Sequence, residues 1–152
     1  MADRIWNIYL SGEIHSDWRD RIMDRSNKID LPVTFSGPVT DHDASDLCGT
    51  KILGEESQQF WQDRKGAGIN AIRTSNLISR ADVVVVRFGP KFKQWNAAFD
   101  AGYASALGKP IITLHDPGLT HALKEVDGAA LAVAETPAQV VRLLTYVIEG
   151  QL

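Results

Sequence analysis

Ala81-Asp82-Val83-Val84-Val85-Val86-Arg87-Phe88-Gly89-Pro90 is the stretch on which the fold turns. Four consecutive valines carry no apolar–polar alternation, so a strand built from them needs cover on both faces, as in a parallel sheet. Phe88-Gly89-Pro90 then ends it. Working outward, Asn70 to Arg80 reads as a helix through Ile72, Leu77 and Ile78, and Trp95 to Leu107 as another, stopped by Gly108. Pro110 to Leu114 reads as a fourth strand and Ala130 to Val133 as a weaker fifth. Thr136-Pro137 opens a final amphipathic helix carrying Val140, Val141, Leu144 and Val147.

Toward the amino terminus, Ile5 to Leu10 is rich in β-formers and predicts a first strand ending in a tight turn at Ser11-Gly12. Asp17 to Ile29 places Trp18, Ile22 with Met23, and Ile29 at helical spacing, with Ser16 as N-cap. Pro32 to Phe35 is a short second strand. Residues 39–68 predict a long excursion with one or two short helices, and segments of that kind are usually functional. Strands alternating with helices imply right-handed crossovers. The expected architecture is α/β: a single doubly wound three-layer α/β/α domain over residues 1–152, with a five-stranded, mostly parallel sheet.

The 152 residues suit one domain, and a hydrophobic content of 44% is normal for a packed core. Lys+Arg 16 against Asp+Glu 19 leaves a net charge of -3, the wrong sign for a dedicated nucleic-acid or anionic-membrane binder. Cys48 is the single cysteine, so no internal disulfide can form. Met1-Ala2-Asp3-Arg4 lacks the features of an export signal, and no apolar run is long enough to cross a bilayer. A cytoplasmic protein is expected. Asp41-His42-Asp43 and Asp46 form a polar cluster, but turn chemistry from Asx side chains accounts for it better than a metal, and no metal or cofactor is expected. His115 and His121 read as surface or turn residues.

In an open parallel sheet, ligands sit beyond the carboxyl ends of the strands where the strand order reverses. The segments brought there carry Glu13, Ile14, His15, Trp18, Gly89, Lys93, Gln94, Trp95 and Asn96. Indoles beside amides and acids suit a planar heterocycle, although either Trp can equally anchor the core. Neither G-x-G-x-x-G nor G-x-x-x-x-G-K-[ST] occurs, which disfavours a dinucleotide oxidoreductase and a P-loop NTPase. Gly66-Ala67-Gly68 follows no expected strand and reads as loop. Asp100 is the most informative residue. It lies mid-helix in Ala97-Ala98-Phe99-Asp100-Ala101-Gly102-Tyr103, where a charge is unfavourable unless it is paired or faces a cavity. Both readings stay open: an acid tied to a neighbouring loop, or a desolvated carboxylate with a raised pKa.

Ile8-Tyr9-Leu10-Ser11-Gly12, Ala81-Asp82, Phe99 to Ala104 and Leu107-Gly108-Lys109-Pro110 together resemble the nucleoside 2-deoxyribosyltransferase superfamily. More narrowly, Gly12 to Arg19 and Lys93 to Asn96 are similar to the YtoQ family, a bacterial branch. The resemblance implies a flavodoxin-like or deoxyribosyltransferase-like sheet and an N-glycosyl-cleaving or -transferring enzyme. Asp100 would attack the anomeric carbon of a nucleoside-like small molecule, and Tyr9 would orient it. Ser11, Gly12 and the backbone of Glu13 to His15 would approach the sugar. Trp95 and Trp18 would flank the base, with Asn96 and Gln94 selecting it. Glu13 would disfavour a 5′-phosphate unless His15, Arg19 and Lys93 converge. The resemblance also implies a homo-oligomer, a dimer or larger, whose neighbour completes the pocket. Three positions depart from the transferases, which carry Glu where Asp100 stands and often acids where Gln94 and Thr74 stand. A non-catalytic nucleoside- or nucleotide-binding regulatory module is the alternative reading, and a metal-dependent hydrolase built on His42 a third.

Overall fold

A computed structural model of the chain describes residues 4–152, so Met1 to Asp3 of the stretch read for an export signal lie outside it. Five strands form one sheet: β1 Trp6–Gly12, β2 Val33–Ser36, β3 Val83–Arg87, β4 Ile111–Leu114 and β5 Ala132–Ala134. Their order is β2-β1-β3-β4-β5, and all four pairings are parallel, so the mostly parallel sheet expected is wholly so. The helices are α1 Trp18–Lys28, α2 His42–Leu53, α3 Gln59–Arg80, α4 Trp95–Ala106, α5 Lys124–Ala129 and α6 Pro137–Glu149.

The valine run is buried on both faces because successive side chains alternate across a strand. Val83 and Val85 join Ile8, Leu10, Ile112 and Leu114 beneath α1 and α6, where Trp18, Ile22, Val140 and Leu144 complete the layer. Val84 and Val86 join Tyr9 and Ile111 on the other face, against Ile78 of α3 and Ala97, Ala101 and Ala104 of α4. Small alanines at a three- and four-residue repeat let α4 approach the sheet closely. On α6 the buried stripe runs Val140, Val141 and Leu144, the partly buried Ile148 extends it, and Val147 is exposed. Thr136 and Gln139 form a reciprocal capping box at its start.

Several boundaries differ from the sequence reading. The first strand does not turn at Ser11-Gly12, since both residues continue the ladder opposite Val86 and Arg87. Gly12 has φ +113°, and a Cβ there would run into the Arg87 carbonyl. Asp17, not Ser16, is the N-cap position of α1, and the Ser16 hydroxyl donates to Glu13 instead. The excursion 39–68 is a helical hairpin whose second arm begins at Gln59 and runs unbroken to Arg80, so Gly66-Ala67-Gly68 is helix and not loop. Gly49 and Gly66 are packing devices, whereas Gly68 has open space where a Cβ would go. A Cβ on Gly49 would collide with the backbone at Lys65 and Gly66, and one on Gly66 would lie 3.0 Å from the Asp46 carbonyl. Asp41 caps α2 by accepting from the Ala44 N–H at 2.8 Å, and His42 pairs with Asp46 one turn on at 3.3 Å.

His115 is not a surface residue. It is 1% exposed, its Nε2 lies 2.8 Å from Asp127 of α5, and the Thr113 hydroxyl donates to the same carboxylate at 2.8 Å. This buried network ties α5 to β4. Among the described residues, no helix is long and apolar enough to cross a membrane.

Gly12→Ala is expected to destabilise the fold by about 2 kcal/mol or more, combining a left-handed φ with a backbone collision. Gly108→Ala isolates the first effect, because Gly108 has φ +70° with open space where the Cβ would go. Its cost should stay near 1 kcal/mol. Urea midpoints of the two variants at unchanged m-value check the difference.

Candidate active site

The strand order reverses at β1, with β2 on one side and β3 on the other. Beyond the carboxyl ends of β1 and β3 lies a cavity of about 710 Å³. A smaller hollow of about 370 Å³, lined by Arg4, Trp6 and Glu149 among others, lies by the start of β1. The larger cavity has three walls. The β1–α1 loop contributes Gly12, Glu13, Ile14 and His15. The loop before α4 and its first two turns contribute Lys93, Gln94, Trp95, Asn96, Phe99 and Asp100. The α2–α3 hairpin, with Pro38 and Val39 leading into it, supplies the third.

Asp100 faces this cavity from α4. One carboxylate oxygen, Oδ2, accepts a hydrogen bond from the Ser11 hydroxyl at 2.7 Å. Burial raises its pKa above the ordinary carboxylate range, and the Ser11 bond partly offsets the rise. It belongs to none of the ion pairs found among the described residues. A desolvated acid facing open space, with one oxygen anchored and the other free, is arranged to meet developing positive charge or to attack an electrophilic carbon.

Tyr9 does not orient Asp100 by a hydrogen bond. Its side chain is fully buried among the residues under α3 and α4, and its hydroxyl has no partner among the described residues. Burial drives its pKa up, the negative charge of Asp100 adds to that, and Arg19 and Arg73 oppose it. Tyr9 therefore feels the carboxylate without bonding it. The reason is local geometry. Ser11 sits two residues further along β1, on the same face and nearer the carboxyl edge, and there it meets the short Asp side chain.

The remaining residues divide between the cavity and its frame. Trp18 is frame: it is 2% exposed, packs under α1, and donates its indole N–H to the Glu13 carbonyl at 2.7 Å, so it flanks no ligand. Arg19 is frame as well. It donates to the Leu10, Gly12 and Glu13 carbonyls at 3.1, 3.1 and 2.6 Å, and its guanidinium lies over the Trp18 ring at 4.5 Å. Burial lowers its pKa to about 10, which leaves it cationic at neutral pH. Arg19 thus does not converge with His15 and Lys93. Glu13 turns its carboxylate back on its own loop, accepting from the His15 N–H and, at 2.6 Å, from the Ser16 hydroxyl. Gly89 lets the facing loop approach: a Cβ there would lie 2.7 Å from Cγ of Glu13. Gln94 is committed to that loop, accepting from the Gly89 N–H at 3.1 Å and donating to the Lys91 carbonyl at 2.6 Å. Its amide shapes the rim instead of selecting a base.

Asn96 lies one turn before Asp100 on the same helix face. Trp95 is 73% exposed at the rim, with the Lys93 ammonium 5.7 Å from its ring centroid. The third wall escaped the sequence reading. Asp63, Gly66, Ala67, Asn70, Ala71 and Thr74 line the cavity at three- and four-residue spacing along α3, joined by Ser45 and Asp46 of α2. That spacing is a helical stripe, visible only once Gln59 to Arg80 is one continuous helix. Among the described residues, no group of three His, Cys, Asp or Glu side chains is placed to hold a metal ion.

The raised pKa of Asp100 sets a stability prediction. The native state holds this proton more tightly than the unfolded chain, so stability falls as pH rises from the unfolded value through the raised folded one. Asp100→Asn should remove that loss. Its melting temperature should exceed that of the wild type at neutral pH, and the gap should close below about pH 4, where both side chains are neutral.

Comparisons with known proteins place the chain. The family profile described as "Nucleoside 2-deoxyribosyltransferase YtoQ" matches residues 9–148. The uncharacterised protein YtoQ of Bacillus subtilis (strain 168) is 44% identical over 144 residues, covering 95% of this chain and 97% of that one. Among solved structures, a conserved protein from Enterococcus faecalis V583 superposes with a TM-score of 0.63 at 15% identity, over 95% of this chain and 99% of that one. A 2-deoxyribosyltransferase from Bacillus psychrosaccharolyticus superposes with a TM-score of 0.52 at 16% identity, over 89% and 90%. At those identities the likeness is one of fold. The profile match from β1 to α6, with the near-complete alignment to the Bacillus subtilis protein, shows that the chain belongs to the YtoQ family.

Proposed function

We propose that this protein is a cytosolic enzyme that cleaves or transfers the N-glycosyl bond of a nucleoside-like small molecule through a carboxylate nucleophile. One observation carries the reading: Asp100 is a partly desolvated acid with no ion-pair partner among the described residues, pinned by Ser11, opening on a cavity at the reversal of strand order. The family description and the deoxyribosyltransferase among the structural neighbours support the substrate class.

The free oxygen of Asp100 attacks C1′ of the sugar. The C1′–N bond breaks, and its electron pair leaves with the base, which takes up a proton. The ester between Asp100 and the sugar then yields to water or to a second base, which restores the carboxylate. Ser11 keeps the carboxylate in line by bonding only the oxygen that does not attack. Trp95 and Phe99 present rings to the base at the rim, and Asn96 offers an amide beside them. The exposed rings of Trp95 and Phe99 also suit a second copy of the chain that closes the rim, so a dimer or larger assembly belongs to this proposal.

Incubation with a mixed pool of nucleosides should release free bases, and Asp100→Ala should lower that release by about a thousandfold or more. Tight binding without base release would instead establish the regulatory-module alternative. Ser11→Ala should lower kcat by about tenfold with little change in KM. Because the lost bond had favoured the charged carboxylate, the acid limb of the pH profile should move to higher pH. The charge on Glu13 predicts that nucleosides are cleaved faster than their 5′-monophosphates, and a clear preference for the monophosphates would overturn that assignment.

A further inference from the structure

A departing base needs a proton, and the cavity wall shows which side chain is free to give it. The lining side chains that carry an acidic or basic group are Glu13, His15, Asp46, Asp63, Lys93 and Asp100. All but one are engaged. Glu13 accepts from the His15 backbone N–H and the Ser16 hydroxyl, Asp46 pairs with His42, and Asp63 accepts from the Gln59 amide at 2.6 Å. Lys93 lies over the Trp95 ring, and Asp100, held by Ser11, is the proposed nucleophile. His15 is the exception: its side chain is exposed, and its ring nitrogens have no hydrogen-bond partner among the described residues.

Its place is nevertheless fixed. Glu13 closes the loop that carries it, and Arg19 and Trp18 brace that loop by donating to the Glu13 carbonyl at 2.6 and 2.7 Å. The imidazole itself lies against the Phe92 ring, 4.8 Å between centroids at a 46° tilt. Phe92 shares its loop with Trp95, which lines the rim. The imidazole therefore stands at the end of the cavity where the base lies in the proposed reaction. Ser11, which holds the carboxylate, precedes His15 in the same stretch of chain, so nucleophile and imidazole are both referenced to the end of β1.

We propose that His15 is the general acid that protonates the departing base. This deepens the N-glycosyl reading of the cavity and rests on it. As Asp100 attacks C1′ and the C1′–N bond breaks, the imidazolium N–H gives its proton to the base atom that collects the electron pair, leaving neutral imidazole. In the second half, the imidazole takes a proton from the attacking water or the incoming base. The bond from C1′ to the Asp100 oxygen then breaks, and its electron pair returns to the carboxylate. Imidazole suits both halves because it gives and takes a proton near neutral pH, and an exposed ring also exchanges its proton with solvent between turnovers.

His15→Gln and His15→Asn, amides of two lengths that exchange no proton in the neutral range, test this in the full-length protein. Base release is followed from about pH 5 to 9 with the nucleoside of the mixed pool that the wild type cleaves fastest. The wild-type kcat should fall on the alkaline side, where the imidazolium is lost. Both variants should lower kcat about a hundredfold with KM unchanged, and their profiles should lose that alkaline fall. Their melting temperatures should stay within about 2 °C of the wild type, because the ring removed is exposed. A wild-type profile with no alkaline fall, variants that keep the wild-type kcat, or variants that lose rate but keep the fall would each overturn the role of His15 and leave the glycosyl reading standing. Absence of base release by the wild type would overturn that reading, and this proposal with it.

Discussion

The pairing of β1 with β3, from Ile8 opposite Val83 to Gly12 opposite Arg87, is the constraint on which the molecule rests. Both strands are buried on both faces, so α1 and α6 are placed by the need to cover one face and α3, α4 and α5 by the need to cover the other. The pairing ends where Gly12, with no side chain, passes the Arg87 carbonyl. Beyond that point the two chains diverge, and the Glu13 N–H still donates to Arg87 at 3.1 Å before the loop departs. The cavity lies in the gap they open. Its location is a consequence of sheet topology, and its floor inherits the rigidity of two strands buried in the middle of the sheet.

That rigidity bears on the chemistry. Asp100 is a half-buried acid without an ion-pair partner among the described residues, and its raised pKa lowers native stability at neutral pH. Its anchor is a serine on the central strand, so the carboxylate is referenced to the sheet and not to a mobile loop. Much of the neighbouring polar inventory serves the same end. Arg19 spends its donors on three carbonyls of the β1 edge, Trp18 braces the same loop from beneath, and Glu13 folds back to close it. Charged residues that look like ligand contacts in a sequence are here the scaffold that positions a few that face the cavity.

Legibility in the sequence followed how local each signal was. The valine run, the alanine-rich α4 and the capped α6 were readable because burial and capping act within a few residues. Asp100 stood out because a lone charge in an apolar helix is itself a local conflict. Its partner was not legible. Tyr9 and Ser11 share one face of β1, and only the reach of a side chain from a separate helix decides which of them it meets. Trp18 and Trp95 are chemically identical in sequence, yet one is core and the other rim, because α1 turns its first residue under the sheet edge while α4 points its first residue outward. The α3 wall was obscured by its glycines. They read as breakers, but each one in the hairpin contact is there because two helix backbones pass too closely for a Cβ.

The succession of five strands along the chain, the two-faced burial of the sheet, and an isolated carboxyl group on the α4 helix were determined by the sequence alone. Each follows from periodicity and polarity over short spans of chain. Tertiary structure alone decided that Ser11 holds that carboxyl group, that His115 is buried against Asp127, and that α3 walls the cavity. These depend on distances between side chains far apart in the sequence. Such distances are set by how tightly helices seat on the sheet, and no local pattern encodes them.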